Sequence, residues 1–172
     1  MSQVLGLGIA ISFWAGACAA QAADASAAPP RHPRSAVDVV GAALAVLPRQ
    51  PTYVSIIDVE AQDDRRVRET LRSLEAFTLP GKDGVYVTLC GPTLQRAIET
   101  RDEKTYRFDV HVLGAILWHE MTHLEGADER AAQRSEEALW RRFVLDGRVD
   151  ARPALEQTWL YASRRRHEGT RR

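Results

Sequence analysis

The sequence predicts one α+β domain, and three observations support that prediction. Its 172 residues match the size of a single ordinary domain. Apolar residues recur at helical spacing in several segments, and β-branched residues cluster in two short runs that are typical of strands. The charges balance, with 23 Lys and Arg residues against 23 Asp and Glu residues. A chain without net charge gives no electrostatic indication of nucleic-acid binding, so we expect no nucleic-acid partner.

The first half of the domain is predicted to alternate helices and strands. Ser35 is the predicted N-cap of a helix whose apolar stripe continues to Pro48. Residues 53–59 are a β-branched run, which predicts a strand. Apolar side chains then recur at helical intervals as far as Phe77, and this stripe predicts a second helix over residues 64–77.

The second half is predicted to be one strand followed by helices. A turn at Pro80-Gly81 precedes a strand at residues 85–90, and Gly91-Pro92 ends that strand. The elements expected after it are a short helix, a long apolar-periodic helix ended by Gly126 and a further helix, at residues 93–99, 108–125 and 128–145.

The amino terminus predicts an export signal. Residues 4–20 are nearly all apolar or small, and this run is too short to span a membrane comfortably. Ala20-Gln21-Ala22 is a small-x-small pattern suited to signal peptidase. We therefore predict a signal peptide at residues 1–22 and a periplasmic or secreted mature protein without a stable membrane span. A retained anchor is one alternative, since no Lys or Arg precedes the apolar run, and lipidation at Cys18 is another.

The rest of the chain divides into a linker, a domain and a tail. Ala, Pro and Ser dominate residues 23–34, which predict a linker before a folded domain at 35–163. The basic residues 164–172 predict a solvated tail, with contact to an acidic surface such as phospholipid as the alternative. Cleavage after Ala22 would leave Cys90 as the only thiol, so no intramolecular disulfide is expected.

The chemistry is concentrated in His119-Glu120-Met121-Thr122-His123. Two histidines four residues apart on a helix point to the same side, so their imidazoles can hold one zinc ion. Glu120 lies beside them on the edge that faces the metal. A zinc ion with three protein ligands keeps a position for water, and a glutamate there can take a proton from that water as it attacks a carbonyl carbon.

The third metal ligand is predicted from the turn that follows. Gly126 can end the helix in a left-handed conformation, which reverses the chain and returns Glu129 to the metal. Glu136 lies seven residues further on, on nearly the same helical face, and is expected to support a ligating histidine, or to exchange roles with Glu129. The alternative for Glu129 is a solvated acid that interacts with the helix dipole. Surface charge is the expected role of the neighbouring acids, Glu125 and Glu137.

This motif resembles that of a known superfamily. Residues from His119 to Glu129 read HExxHxxGxxE, which resembles the zincin metallopeptidases. The spacing is similar to that of the metzincins, but those usually place His or Asp third and have a methionine turn, whereas no Met follows Met121. A glutamate ligand is similar to the gluzincins, whose Glu usually comes later, so Glu136 and Glu137 stay open as alternatives.

The resemblance implies a small zincin-like domain in which a short β-sheet packs on the active-site helix. In zincins the edge strand of that sheet binds extended peptide by backbone pairing, and residues 85–90 are the expected strand. Zincins often use a downstream Tyr or His to stabilise the oxyanion, a role open to Tyr161 unless it packs with Trp159 and Leu160. His111 is expected to support a ligand or to lie at the surface.

Two functions follow as expectations. The favoured one is an exported zinc metallopeptidase acting on a peptide or protein, in which His119, His123 and Glu129 hold Zn²⁺ and Glu120 activates water. The alternative is a non-catalytic zinc-stabilised domain that binds a periplasmic partner, because only about 135 residues are left to build both a core and a cleft. Glu120 distinguishes them, since a structural site needs no general base and normally closes its fourth position with a protein ligand.

Overall fold

A computed structural model of the chain describes residues 9–11, 34–150 and 157. The predicted linker, the basic tail and Tyr161 lie outside the described residues, as does most of the predicted signal peptide. Helices and strands are mixed, which confirms the α+β prediction. The elements, in chain order, are β1 (Ile9–Ile11), α1 (Ala36–Ala45), β2 (Tyr53–Ile57), α2 (Arg65–Leu71), β3 (Ala76–Thr78), β4 (Gly84–Thr88), α3 (Pro92–Glu99), α4 (Glu103–Leu124) and α5 (Glu129–Leu145).

Side-chain caps determine where the helices begin. Ser35 and Asp38 form a reciprocal capping box, so α1 starts at the residue that the sequence predicts. Asp102 accepts a hydrogen bond from the backbone N–H of Thr105 at 2.7 Å. Because of this cap, α4 begins at Glu103, earlier than the apolar periodicity indicates.

The sheet has the strand order β1-β2-β4-β3. Strand β4 pairs in parallel with β2 and antiparallel with β3, so it lies inside the sheet. The prediction that residues 85–90 form the edge strand is therefore wrong. Within the described residues, the edge on this side is β3, which packs against α4.

Strand β3 also corrects the second predicted helix. Helix α2 ends at Leu71, and Phe77 lies in β3 rather than on a helical stripe. A three-residue strand is stabilised by its ladder with β4, in which Phe77 is opposite Tyr86. Periodicity along the chain cannot detect pairing with a strand that follows later, so the helical spacing of the apolar residues was misleading.

Strand β1 falls within the predicted signal peptide and pairs antiparallel with β2. Cleavage after Ala22 would remove β1 and leave β2, β4 and β3 as the sheet of the mature chain. Among the described residues, no helix has both the length and the apolar character needed to cross a membrane.

Helix α4 is the central element of the fold, because it contacts α1, α3 and α5 as well as β3 and β4. A Cβ atom on Gly114 would lie 2.8 Å from Cγ2 of Val46 and 3.2 Å from the carbonyl oxygen of Ala43, so glycine is what lets the two helices approach this closely. The fully buried side chains of the core include Val39, Val85, Val87, Leu94, Leu113, Leu117, Trp140 and Phe143.

Candidate metal centre

The turn between α4 and α5 brings the predicted ligands together. Gly126 has φ of 84°, the left-handed conformation that the sequence predicts at the end of α4. Two residues later, Asp128 caps α5 by accepting a hydrogen bond from the N–H of Ala131 at 2.8 Å. Glu129 is therefore the first residue of α5 and lies beside the end of α4 that carries His119 and His123.

The three side chains point at one place. The Nε2 atoms of His119 and His123 are 3.1 Å apart. Oε2 of Glu129 lies 3.2 Å from Nε2 of His123 and 3.6 Å from Nε2 of His119. Among the described residues, this is the group of His, Cys, Asp or Glu side chains placed to hold a metal ion.

Partners on the far side of each ring determine which nitrogens face the cluster. Nδ1 of His123 donates to the carbonyl oxygen of Ala127 at 2.9 Å, since a carbonyl can only accept. Nδ1 of His119 donates to the carboxylate of Glu136 at 3.1 Å. In the neutral rings, Nε2 then carries a lone pair, which is the tautomer that a metal ligand needs.

The arrangement fits a zinc ion. In the neutral rings, the two Nε2 atoms and a carboxylate oxygen present lone pairs to the same point, where a metal ion, or a proton on one ring, offsets their mutual repulsion. Ligand bonds of about 2.1 Å around tetrahedral zinc place two ligand atoms about 3.4 Å apart, close to the three separations found here. Two histidines and one glutamate also make up a donor set that catalytic zinc sites use.

Glu129 is oriented although its side chain is 60% exposed. Its Oε1 accepts a hydrogen bond from Nε2 of Gln133 at 2.9 Å, which leaves Oε2 for the histidine pair. Partial burial raises the pKa of Glu129, but the bond from Gln133 and the two imidazoles outweigh burial and hold that pKa below its ordinary value. The carboxylate is therefore in the charged form that a cation requires.

The His119 ring and the Glu120 carboxylate are both partly buried. Burial lowers the pKa of His119, but the hydrogen bond and charge of Glu136 outweigh it and raise the pKa above its ordinary value. Burial raises the pKa of Glu120 and outweighs the lowering by both histidines and by a hydrogen bond with the Thr78 side chain, so that pKa lies above its ordinary value. Glu120 thus lies beside the ligand cluster and is tied to edge strand β3.

The remaining acids take different positions from one another. Glu136 is 4% exposed and contacts the ring of His119 on the side away from the cluster. Glu137 is buried as well, and its carboxylate pairs with Arg141 at 2.7 Å, so the prediction of a surface charge there is wrong. Glu125 is half exposed and pairs with Arg49, as expected of a surface charge. Three acids were candidates for the third ligand, Glu129, Glu136 and Glu137, and of these only Glu129 joins the cluster.

His111 lies in the core, away from the cluster. It is 6% exposed, its Nδ1 donates to the carbonyl oxygen of Arg107 at 2.7 Å, and its ring meets Phe143 edge-on. Burial lowers the pKa of His111, so its ring is neutral near pH 7. The expectation of a surface position is wrong because Phe143 of α5 covers this face of α4. The expectation that His111 supports a ligand is wrong as well, because its Nδ1 bonds to the carbonyl oxygen of Arg107 and not to a side chain of the cluster.

Sequence reasoning missed four contacts around the site, which involve residues of α4, α5 and β3. Nε1 of Trp118 donates to Oγ of Ser135 at 2.7 Å, and the hydroxyl of Thr122 lies 3.2 Å from the same oxygen. Gln133 and Thr78 hold the carboxylates of Glu129 and Glu120, respectively. The sequence contains one signal for these contacts: polar residues occur on the faces of α4 and α5 that turn towards another helix. The two bonds to Ser135 join α4 and α5 beside the predicted ligands.

Replacing Glu136 with leucine is expected to weaken zinc binding by about tenfold to a hundredfold, because the ring of His119 loses the acceptor that orients it. Isothermal titration of the metal-depleted protein with Zn²⁺ measures the change. Glu137→Leu is the matched control, since it removes a buried carboxylate from the next residue of α5 and is expected to change the affinity less than about twofold. Equal losses in the two variants would mean that Glu136 has no particular role at the site.

Comparison with known proteins adds no relative. No protein-family model, curated protein or solved structure matches this chain.

Proposed function

We propose that this protein is an exported zinc metallopeptidase. The observation that carries the proposal is the convergence of His119, His123 and Glu129, whose ligand atoms have the separations of a tetrahedral zinc site. Glu120 lies against this cluster. A purely structural zinc site would need no carboxylate at that position. Export is supported by the amino-terminal sequence alone, with its apolar run and Ala20-Gln21-Ala22 pattern.

The proposed roles follow from the positions of the side chains. His119, His123 and Glu129 would hold the ion, and a bound zinc ion supplies a Lewis acid that polarises a carbonyl group and lowers the pKa of water. Glu120 would accept the proton of the attacking water and pass it to the leaving amine. Ala127 and Glu136 keep the two imidazoles in the required tautomer.

A peptide is the substrate class that the surroundings favour. Edge strand β3 lies beside Glu120, because the side chain of Thr78 contacts that carboxylate. An extended peptide can add to a sheet edge through main-chain hydrogen bonds, which would place its carbonyl groups near the proposed zinc site.

The test is the zinc content per chain of wild type, His123→Ala and Glu129→Ala, purified without added metal, together with cleavage of a peptide mixture by each protein. We expect about one zinc per chain in the wild type, and binding weakened at least about a hundredfold in both variants, because two ligands hold zinc poorly. Peptide cleavage should be lost with the metal and restored in the wild type when zinc is returned after chelation.

The outcomes separate the two candidate functions. Zinc without cleavage of any peptide, and with a large loss of thermal stability on chelation, would indicate the non-catalytic zinc-stabilised domain. Zinc binding that persists in Glu129→Ala would assign the third ligand elsewhere. A wild-type protein that binds no zinc even when zinc is supplied would overturn the metallopeptidase proposal.

A further inference from the structure

Three aromatic rings form a row across the sheet. Phe77 of β3 lies directly opposite Tyr86 of β4, and their rings stack with centroids 5.3 Å apart. Tyr86 meets Tyr53 of β2 edge-on at 6.0 Å, and their hydroxyl oxygens are 2.7 Å apart. Burial, together with the hydrogen bond to Tyr53, raises the pKa of Tyr86 to about 12, so Tyr86 is uncharged at neutral pH.

The row lies on the sheet face opposite the helices. Side chains alternate between the two faces of a strand, and the buried residues Val54, Val85 and Val87 occupy the face that packs on the helical core. Phe77 is the last ring of the row and is only partly buried. Beyond it, within the described residues, no further strand pairs with β3.

The free edge of β3 is able to pair with another strand. The backbone N–H of Thr88 donates to the carbonyl oxygen of Glu75 at 3.0 Å, so the backbone groups of Glu75 point toward β4. Bonding directions alternate along an antiparallel strand, so the backbone groups of Phe77 point toward β4 as well. The backbone groups of Ala76 and Thr78 then point away from β4, to the free edge. Because the Thr78 side chain contacts Glu120, a strand added here runs past the proposed catalytic site.

We propose that Phe77 determines substrate specificity, by selecting peptides with a large apolar side chain at the position that pairs with it. This inference rests on the proposed peptidase function. Residues that are directly opposite each other in a ladder have side chains on the same face, with Cβ atoms about 5 Å apart. The substrate side chain opposite Phe77 would therefore extend the row of rings by one member.

The surroundings favour an apolar substrate side chain at that position. A ring packed against Phe77 gains both apolar burial and the stacking that aromatic pairs provide. Leu79 follows β3 directly and is 42% exposed, so it adds to the apolar surface at this end of the strand. A charged side chain would lose hydration there without an opposite charge from the three rings.

The experiment uses the full chain loaded with zinc and a randomised peptide library. Cleavage positions are identified by mass spectrometry for the wild type, and peptide retention is measured separately on immobilised Glu120→Gln protein, which does not depend on turnover. Each readout is repeated with Phe77→Thr, chosen because Thr keeps a high strand propensity, and with Phe77→Tyr. Tyr53→Phe is the control, since it alters the row at the ring most distant from the edge.

We expect large apolar residues to be enriched at one position of the bound and cleaved peptides. Phe77→Thr should reduce that enrichment about fivefold at that position alone, with unchanged zinc content, whereas Phe77→Tyr and Tyr53→Phe should keep it. Enrichment that survives in Phe77→Thr, or falls equally at all positions, would overturn the inference. If peptides were retained in a way that depends on Phe77 but were not cleaved, the peptidase function would be overturned and the peptide contact supported. If peptides were not retained and not cleaved, both proposals would be overturned.

Discussion

The Glu120→Gln variant is expected to hydrolyse peptides about a thousandfold more slowly than the wild type, with its zinc content unchanged. Glutamine has nearly the shape of glutamate but cannot accept the proton of the attacking water. Glu120 is not a member of the cluster of His119, His123 and Glu129, so its replacement leaves the three proposed metal ligands intact. The comparison requires initial rates at saturating peptide and metal analysis of the same preparations.

The control for this variant is Glu125→Gln. Glu125 is only five residues further along the chain, yet it is half exposed and pairs with Arg49, so its loss is expected to change the rate less than about twofold. Full activity in purified Glu120→Gln would exclude Glu120 as the proton acceptor. A rate reduced only in proportion to lost zinc would assign Glu120 a structural role instead.

The Arg96→Met variant is expected to lower the free energy of unfolding by about 3 kcal/mol. The carboxylate of Asp109 is 1% exposed, and Arg96 binds it with Nε at 3.1 Å and Nη2 at 2.7 Å from the same oxygen. The hydrogen bond to Asp109 raises the pKa of Arg96, which outweighs the lowering by partial burial, so the guanidinium stays charged. Without it, a buried carboxylate remains unpaired, which is strongly destabilising. Urea denaturation followed by circular dichroism gives the difference.

The matched control for this variant combines Arg96→Met with Asp109→Leu. A cavity of about 470 Å³ borders the ion pair, so the apolar side chains have room. Because the double variant contains no unpaired charge, we expect it to recover most of the lost stability. If the double variant were as unstable as Arg96→Met, the loss would come from packing of the arginine stem and not from the carboxylate.

Local patterns along the chain were sufficient to predict most of the helices. Ser35 and Gly126 marked the boundaries of α1 and α4 because capping and left-handed termination depend on a few neighbouring residues. Phe77 was assigned wrongly to a helix because that assignment also used only neighbouring residues. Its spacing fits a helix, and only the ladder with Tyr86 places it in a strand.

Helical periodicity alone predicts that two histidines share one face of a helix beside a glutamate. Which acid joins the two histidines depends on how α4 and α5 pack against each other. Glu129 and Glu136 have nearly the same helical phase, so periodicity could not separate them, and the crossing of α4 and α5 puts the first at the Nε2 atoms and the second behind the ring of His119. Long-range pairing also determines which strand lies at the edge of the sheet, because the local sequence of a strand does not show which strands pair with it.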